Sequence, residues 1–176
     1  SVLGLASNLL EGMQGGFNST SAQHACEILH RSSSASAVAI TDTENILGYC
    51  GTGEDSLPHG ISPLRTEATR ESLKDGKTRV LNSPEEVGLP TKTRGIKAAI
   101  IVPLKIGKSI VGTLKFYYPS ASRITETQVS IAEGFAQLIA TQIAAMELEE
   151  QKKLATSMEL KALQSQINPH FLFNTI

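Results

Sequence analysis

At 176 residues with a formal net charge of −1, the chain is sized for one globular domain plus an appended element, and it has no basic field that would draw it to nucleic acid or an anionic membrane. Apolar residues make up 40% and charged residues 19%, which excludes the weakly hydrophobic, highly charged composition of a disordered chain. Cys26 and Cys50 form neither a disulfide framework nor a zinc-type array, so a reducing, cytosolic setting is expected.

No signal-peptide pattern opens the chain, and no uninterrupted apolar run of about 18 residues is read in it. The chain starts without Met and stops at Ile176 inside an apolar segment, as expected of a portion of a longer protein. Val2, Leu5, Leu9 and Met13 repeat at helical spacing and predict a linker helix within 1–16, ended by Gly15 and Gly16. Thr20 with Gln23 predicts a capping box for a second helix over about 20–32. Its apolar face is Ala22, Ala25, Cys26 and Leu29, which leaves His24, Glu27, His30 and Arg31 toward solvent. Cys26 and Cys50 read as structural thiols, and the two histidines lack a complete metal-ligand set.

Two β-rich runs, 35–41 and 46–51, flank the turn Asp42-Thr43-Glu44-Asn45 and predict a hairpin. Gly51-Thr52-Gly53 reads as its exit loop, because a lone GxG without a following Gly-Lys does not make a phosphate site. After a Gly- and Pro-rich loop over 52–62, Ser62 and Pro63 predict a helix start and Gly76 its end. A short strand, 78–81, and an irregular stretch, 82–95, come next. The strongest β signal follows: 96–106, then Gly107-Lys108, then 109–118, with Ala98, Ile100, Val102, Leu104 and Ile106 on one buried face and Ile110, Gly112, Leu114, Phe116 and Tyr118 aligned with them. Pro103 lacks a ladder donor and belongs at an edge or bulge.

Thr125 with Gln128 predicts another capping box, and the helical pattern then continues for about 43 residues to Pro169, roughly 65 Å. Ala132, Phe135, Ala136, Ile139, Ile143 and Met146 suit packing on a sheet or helix. The polar run 147–153 gives way to a stripe of Leu154, Met158, Leu160, Leu163 and Ile167, which predicts a coiled coil between two copies of the chain.

This order of elements, with Ala98-Ala-Ile-Ile-Val-Pro-Leu-Lys-Ile-Gly followed by Ile110-Val-Gly-Thr-Leu, resembles a GAF domain over 17–146. The expected fold class is therefore α+β, an antiparallel sheet flanked by helices with a long C-terminal signalling helix. The segment 147–176 would hold that helix and the start of a phosphoacceptor region, because Leu160-Lys-Ala-Leu-Gln-Ser-Gln-Ile-Asn-Pro-His-Phe-Leu-Phe-Asn174 resembles the phosphoacceptor motif of the LytS-type sensor histidine kinases. The resemblance implies that His170 is the phosphorylated residue and that the full-length protein is a membrane-attached kinase with this portion in the cytoplasm. It also implies ATP and Mg²⁺ as cofactors of the full-length kinase, none in this portion, and a LytTR-type response regulator as partner beside the homodimer.

A ring nitrogen of a neutral imidazole can attack the γ-phosphorus of ATP and pass the phosphoryl group to an aspartate. Asn174, four residues on, shares a helical face with His170 and takes an auxiliary role, orienting a phosphoryl oxygen or a water. Phe171 stands where commoner histidine kinases carry an acid, which leaves the general base unassigned. Pro169 predicts a kink or weakened turn just before His170. Two other functions stay open. One is a small-molecule pocket between the sheet and the loops around 52–95, with Arg65, Arg79, Arg94 and Thr113 as pocket or surface groups. The other is a dimerising module that only relays a signal from a membrane sensor.

Overall fold

The computed structural model describes residues 2–53, 62–89 and 95–174, the last eight of them as backbone. Two compact units result, 1–143 and 144–176. In the first, α1 (Val2–Gly12) lies against α2 (Ser19–Ser32), and Leu9 and Met13 are buried. The cap of α2 is Asn18, not Thr20. Its side chain accepts from the Ser21 backbone N–H at 3.0 Å while the Asn18 N–H donates to Ser21 Oγ at 3.1 Å, so a shorter Asn and Ser pair completes the reciprocal box.

Among the described residues the sheet has six antiparallel strands in the order β3-β2-β1-β6-β5-β4. They are β1 (Ala37–Thr41), β2 (Asn45–Gly51), β3 (Ser62–Pro63), β4 (Arg79–Leu81), β5 (Ala98–Ile106) and β6 (Ser109–Tyr118). The β1–β2 turn forms as expected: Asp42 Oδ1 accepts from the N–H groups of Glu44 and Asn45 at 2.8 and 2.7 Å, the local bonding that makes Asp a turn residue. Gly107, at φ 60°, supplies the left-handed residue of the β5–β6 turn. Gly48 lets α2 rest directly on β2, since a Cβ there would lie 2.7 Å from the Ala22 carbonyl carbon and the Gln23 nitrogen.

Pro103 sits where its missing donor costs nothing. It pairs with Thr113 on β6, whereas β4 pairs only with Ala99, Ile100 and Ile101 of β5. Beyond Ile101, β5 is an edge strand.

Three expectations are corrected. Ser62 and Pro63 are a strand paired to Ile46 and Asn45, and α3 (Glu67–Asp75) starts only after Thr66. The Leu64 N–H still bonds to the Glu44 carbonyl at 3.1 Å, so the sheet holds the chain extended through the position where proline favoured a helix. Gly76 ends α3 as predicted, at φ 69° with its N–H on the Ser72 carbonyl. The irregular stretch 82–95 contains a short helix, α4 (Pro84–Val87), capped by Ser83 and closed by Gly88. Finally, the β5–β6 hairpin is buried on both faces over most of its length. One face carries Ile100, Leu114 and Phe116. The other carries Ala99, Ile101, Lys115 and Tyr117 and is covered by α3 and α4.

The last helix, α5 (Glu126–Asn174), spans 49 residues and continues through Pro169, because one lost i→i−4 bond does not end a helix of this length. Only half of its predicted capping box forms. Thr125 Oγ1 accepts from the Gln128 N–H at 3.3 Å, but Gln128 Oε1 is buried without a partner. Ala132, Ala136, Ile139, Ala140 and Ile143 are buried. By length and composition alone this helix would qualify as a membrane span, contrary to the sequence reading, yet those five buried positions are the inward stripe of a core helix. In the second unit every described side chain from Glu147 to Gln166 is exposed.

Candidate functional site

His170 and Asn174 both lie on α5, within an unbroken helical backbone that sets them four residues apart on one face. Their side chains lie outside the described residues, as does the detail of the turn at Pro169. Upstream, Leu148, Leu154, Met158, Leu160 and Leu163 form a stripe of apolar side chains, each between 53% and 63% exposed.

A second constellation lies on the sheet face under α3. Lys115 is 3% exposed. Its Nζ donates to Thr69 Oγ1 at 3.1 Å and stands 5.7 Å from the centre of the Tyr117 ring, within reach of a cation–π attraction. Thr69 Oγ1 is in turn 2.6 Å from Thr66 Oγ1. Thr66, at the N-cap of α3, makes no bond from its side chain to the first-turn amides. Ala37, Ala39, Ala99 and Ile101 form the apolar surround. Burial alone pulls the Lys115 ammonium down to about 8. The charged groups of α3 and α4, Glu67, Arg70, Glu71, Lys74, Asp75, Glu85 and Glu86, are all exposed. Among the described residues, no carboxylate faces the ammonium.

This lysine was missed in the sequence. The signal was present: Lys115 is the one charged residue within the apolar run 110–118, and a strand covered on both faces places such a residue indoors.

The named pocket candidates do not converge. Arg65 is exposed and Arg94 lies outside the described residues. Arg79 is engaged by Asp75 at 2.8 Å and by Glu71 at 3.4 Å, and the guanidinium holds the Asp75 carboxyl well below the usual carboxylate range. Only Thr113 is buried on the Lys115 face, with its hydroxyl 2.7 Å from that of Thr41.

Of the two cysteines, the surroundings of Cys26 fit a structural thiol. Cys26 is fully buried, and burial pushes its thiol up. His24 is exposed as expected, but His30 is half-buried, with Nδ1 3.6 Å from Cys50 Sγ. Among the described residues no group of three metal-ligating side chains occurs. The exit loop after β2 is a turn: the Thr52 N–H bonds to the Ser36 carbonyl at 2.9 Å, and the Tyr49 hydroxyl donates to the Thr52 carbonyl.

The GAF domain family model matches residues 18–144. The chain belongs to the GAF domain family. Beyond the GAF domain, a histidine kinase family model matches residues 158–176, which include the motif around His170. The chain is 37% identical over 175 residues to the sensor protein LytS of Streptococcus agalactiae, and 38% identical over 177 residues to the sensor histidine kinase/phosphatase LytS of Staphylococcus aureus. Each match covers 99% of this chain and 30% of the relative, so the resemblance to LytS-type kinases holds across both units. The GAF fold is also that of solved structures of low identity. The GAF domain of the Acinetobacter phosphoenolpyruvate-protein phosphotransferase superposes with TM-score 0.63 at 11% identity, covering 83% of this chain and 94% of that one. GAF-B of DevS from Mycobacterium smegmatis does so with TM-score 0.59 at 18% identity, covering 74% and 96%.

Proposed function

We propose that the chain is the cytoplasmic sensory and phosphoacceptor portion of a membrane-attached two-component sensor histidine kinase. The observation that carries this reading is the histidine kinase match at 158–176, which falls at the end of the chain that follows the GAF domain along α5. A neutral ring nitrogen of His170 attacks the γ-phosphorus of ATP held by a catalytic domain outside this chain. The bond to ADP breaks, an N–P bond forms, and the proton on the other ring nitrogen passes to water. An aspartate carboxylate of a response regulator, of the LytTR type by resemblance, then takes the phosphoryl group, and a proton from water restores the neutral imidazole. A ring that is already neutral needs no base before it attacks, which suits a motif with Phe171 where an acid could stand. Positioning and charge stabilisation by Mg²⁺ and the catalytic domain supply most of the rate.

The test uses radiolabelled ATP. The chain alone is expected to take up no label. Addition of the kinase's own ATP-binding domain is expected to give acid-labile, alkali-stable label on the chain. Label with ATP alone, or none with the added domain, would count against the reading.

The exposed stripe of the second unit supports pairing of two copies through this helix. Leu163 is 54% exposed in the single chain, so Leu163→Glu should leave the GAF domain folded while removing a buried contact from the dimer. Loss of one such side chain is worth about 1.5–3 kcal/mol, so sedimentation equilibrium should register self-association weaker by at least about tenfold. An unchanged dimerisation constant excludes this face as the interface.

A further inference from the structure

We infer that the cleft on the sheet face turned away from α3 and α4, bounded by α1, α2, β6 and the start of α5, binds a small neutral molecule that joins a flat apolar body to a single hydroxyl or N–H donor. The inference goes beyond the phosphoacceptor role and does not depend on it.

The cleft has a volume of about 300 Å³, at the lower end of the range for small-molecule sites. Its walls are apolar. Leu5 of α1, Leu29 of α2, Phe116 and Tyr118 of β6, and Ile131 and Phe135 of α5 line it, and the three rings among them suit a flat, aromatic body. Among the described residues no charged side chain belongs to the lining, so an ion would lose its hydration there without compensation. The ligand is therefore neutral. Gln128 supplies the polar contact. It lines the same cleft, and its Oε1 is buried without a hydrogen-bond partner among the described residues, a state that costs free energy until a donor is found. The last torsion of a Gln side chain is soft, so the carboxamide can turn its oxygen to a donor held in the cleft. Ser32 and Ser33, also in the lining, are already engaged: the Ser32 hydroxyl donates to the Ile28 carbonyl at 2.8 Å, and Ser33 Oγ accepts from the Ala35 N–H at 3.4 Å. A second copy of the chain is a poorer occupant. A stable protein–protein interface takes about 800 Å² from each partner, whereas Ile131, at 51%, is the one lining residue among the exposed large apolar side chains described.

Indole and 1-methylindole, which differ in a single N–H, test this by calorimetric titration of the chain at pH 7. Indole is expected to bind saturably at one site, and 1-methylindole at least tenfold more weakly. Gln128 is half-buried, so Gln128→Leu, which keeps much of the side chain's volume and removes the acceptor, should leave the chain folded. In that variant the affinity for indole should fall to the level of its methylated analogue. Nuclear Overhauser contacts from the indole ring protons to the methyl groups of Leu29 and Ile131 are expected to locate the bound molecule. Several results would overturn the inference: no saturable binding of indole, equal affinities for the two probes, an undiminished preference for indole in Gln128→Leu, or ligand contacts on the sheet face under α3. Contacts between the Ile131 methyl groups and a second copy of the chain in the ligand-free protein would do so too, by assigning the cleft to self-association. None of these results bears on labelling of His170, so the two readings fail separately.

Discussion

Replacement of His170 by Gln in the full-length kinase is expected to abolish phosphorylation while leaving ATP binding and folding intact. Gln keeps polarity and some length but has no ring nitrogen to form the N–P bond, so the loss is complete rather than partial. Asn174→Ala should behave differently. A carboxamide that orients a phosphoryl oxygen or a water contributes positioning, and its removal should cost roughly 10²-fold or less in either formation or decay of phosphohistidine. Time courses of both steps separate the roles. Robust label on the His170→Gln protein would remove the assignment of the phosphoacceptor, whereas unaltered kinetics in Asn174→Ala would remove only the auxiliary role.

Lys115→Met should stabilise the chain near pH 7 and change the shape of its pH–stability curve. The Lys115 pKa falls from 10.5 to about 8 on folding. Between these values the unfolded chain binds the proton more strongly than the folded one, so this group's contribution to stability rises with pH across that window. Below about pH 8 both states carry the charge, and the full cost of burying it is present. That cost is on the order of 3 kcal/mol, at about 1.4 kcal/mol for each unit of displaced pKa. Cys26 and Tyr117 act in the opposite sense, because burial raises both and their unfolded forms ionise first at high pH. The informative quantity is therefore the difference between the two proteins' curves from urea unfolding at pH 7 to 10.5. It should shrink as pH rises, and a flat difference would mean that the buried ammonium carries no such cost.

The parts legible in the sequence are those where one local signal met no competitor. Two long β-rich runs flank Gly107-Lys108 and mark the β5–β6 hairpin, Gly76 supplies the left-handed end of α3, and α5 declares itself by sheer length. The motif around His170 is legible for another reason: it is a fixed run of residues rather than a periodicity, and the histidine kinase family model matches it. What was not legible depended on tertiary context. Pro63 favours a helix start by its own geometry, yet pairing of Ser62 and Pro63 with β2 outweighs that preference. The brief α4 is a single turn held by Ser83 and Gly88, too short to show a periodicity. Lys115 is hidden because alternation along β6 points to one buried face, and only α3 and α4, folding back over the other, turn a nominally outward lysine into a buried one.

The placement of Pro103 also bears on how the protein avoids precipitating. An open sheet offers unpaired backbone to neighbouring molecules along its outermost strands, and long, flat margins of this kind seed fibrils. Here the two outermost strands, β3 and β4, are two and three residues long. The portion of β5 left uncovered by β4 carries Pro103, which cannot donate, and Lys105, with a register shift between Leu104 and Lys105. Imino acid, charge and irregular register together make that margin a poor template for strand-by-strand growth, a property that matters most wherever many copies of the sheet are held close together.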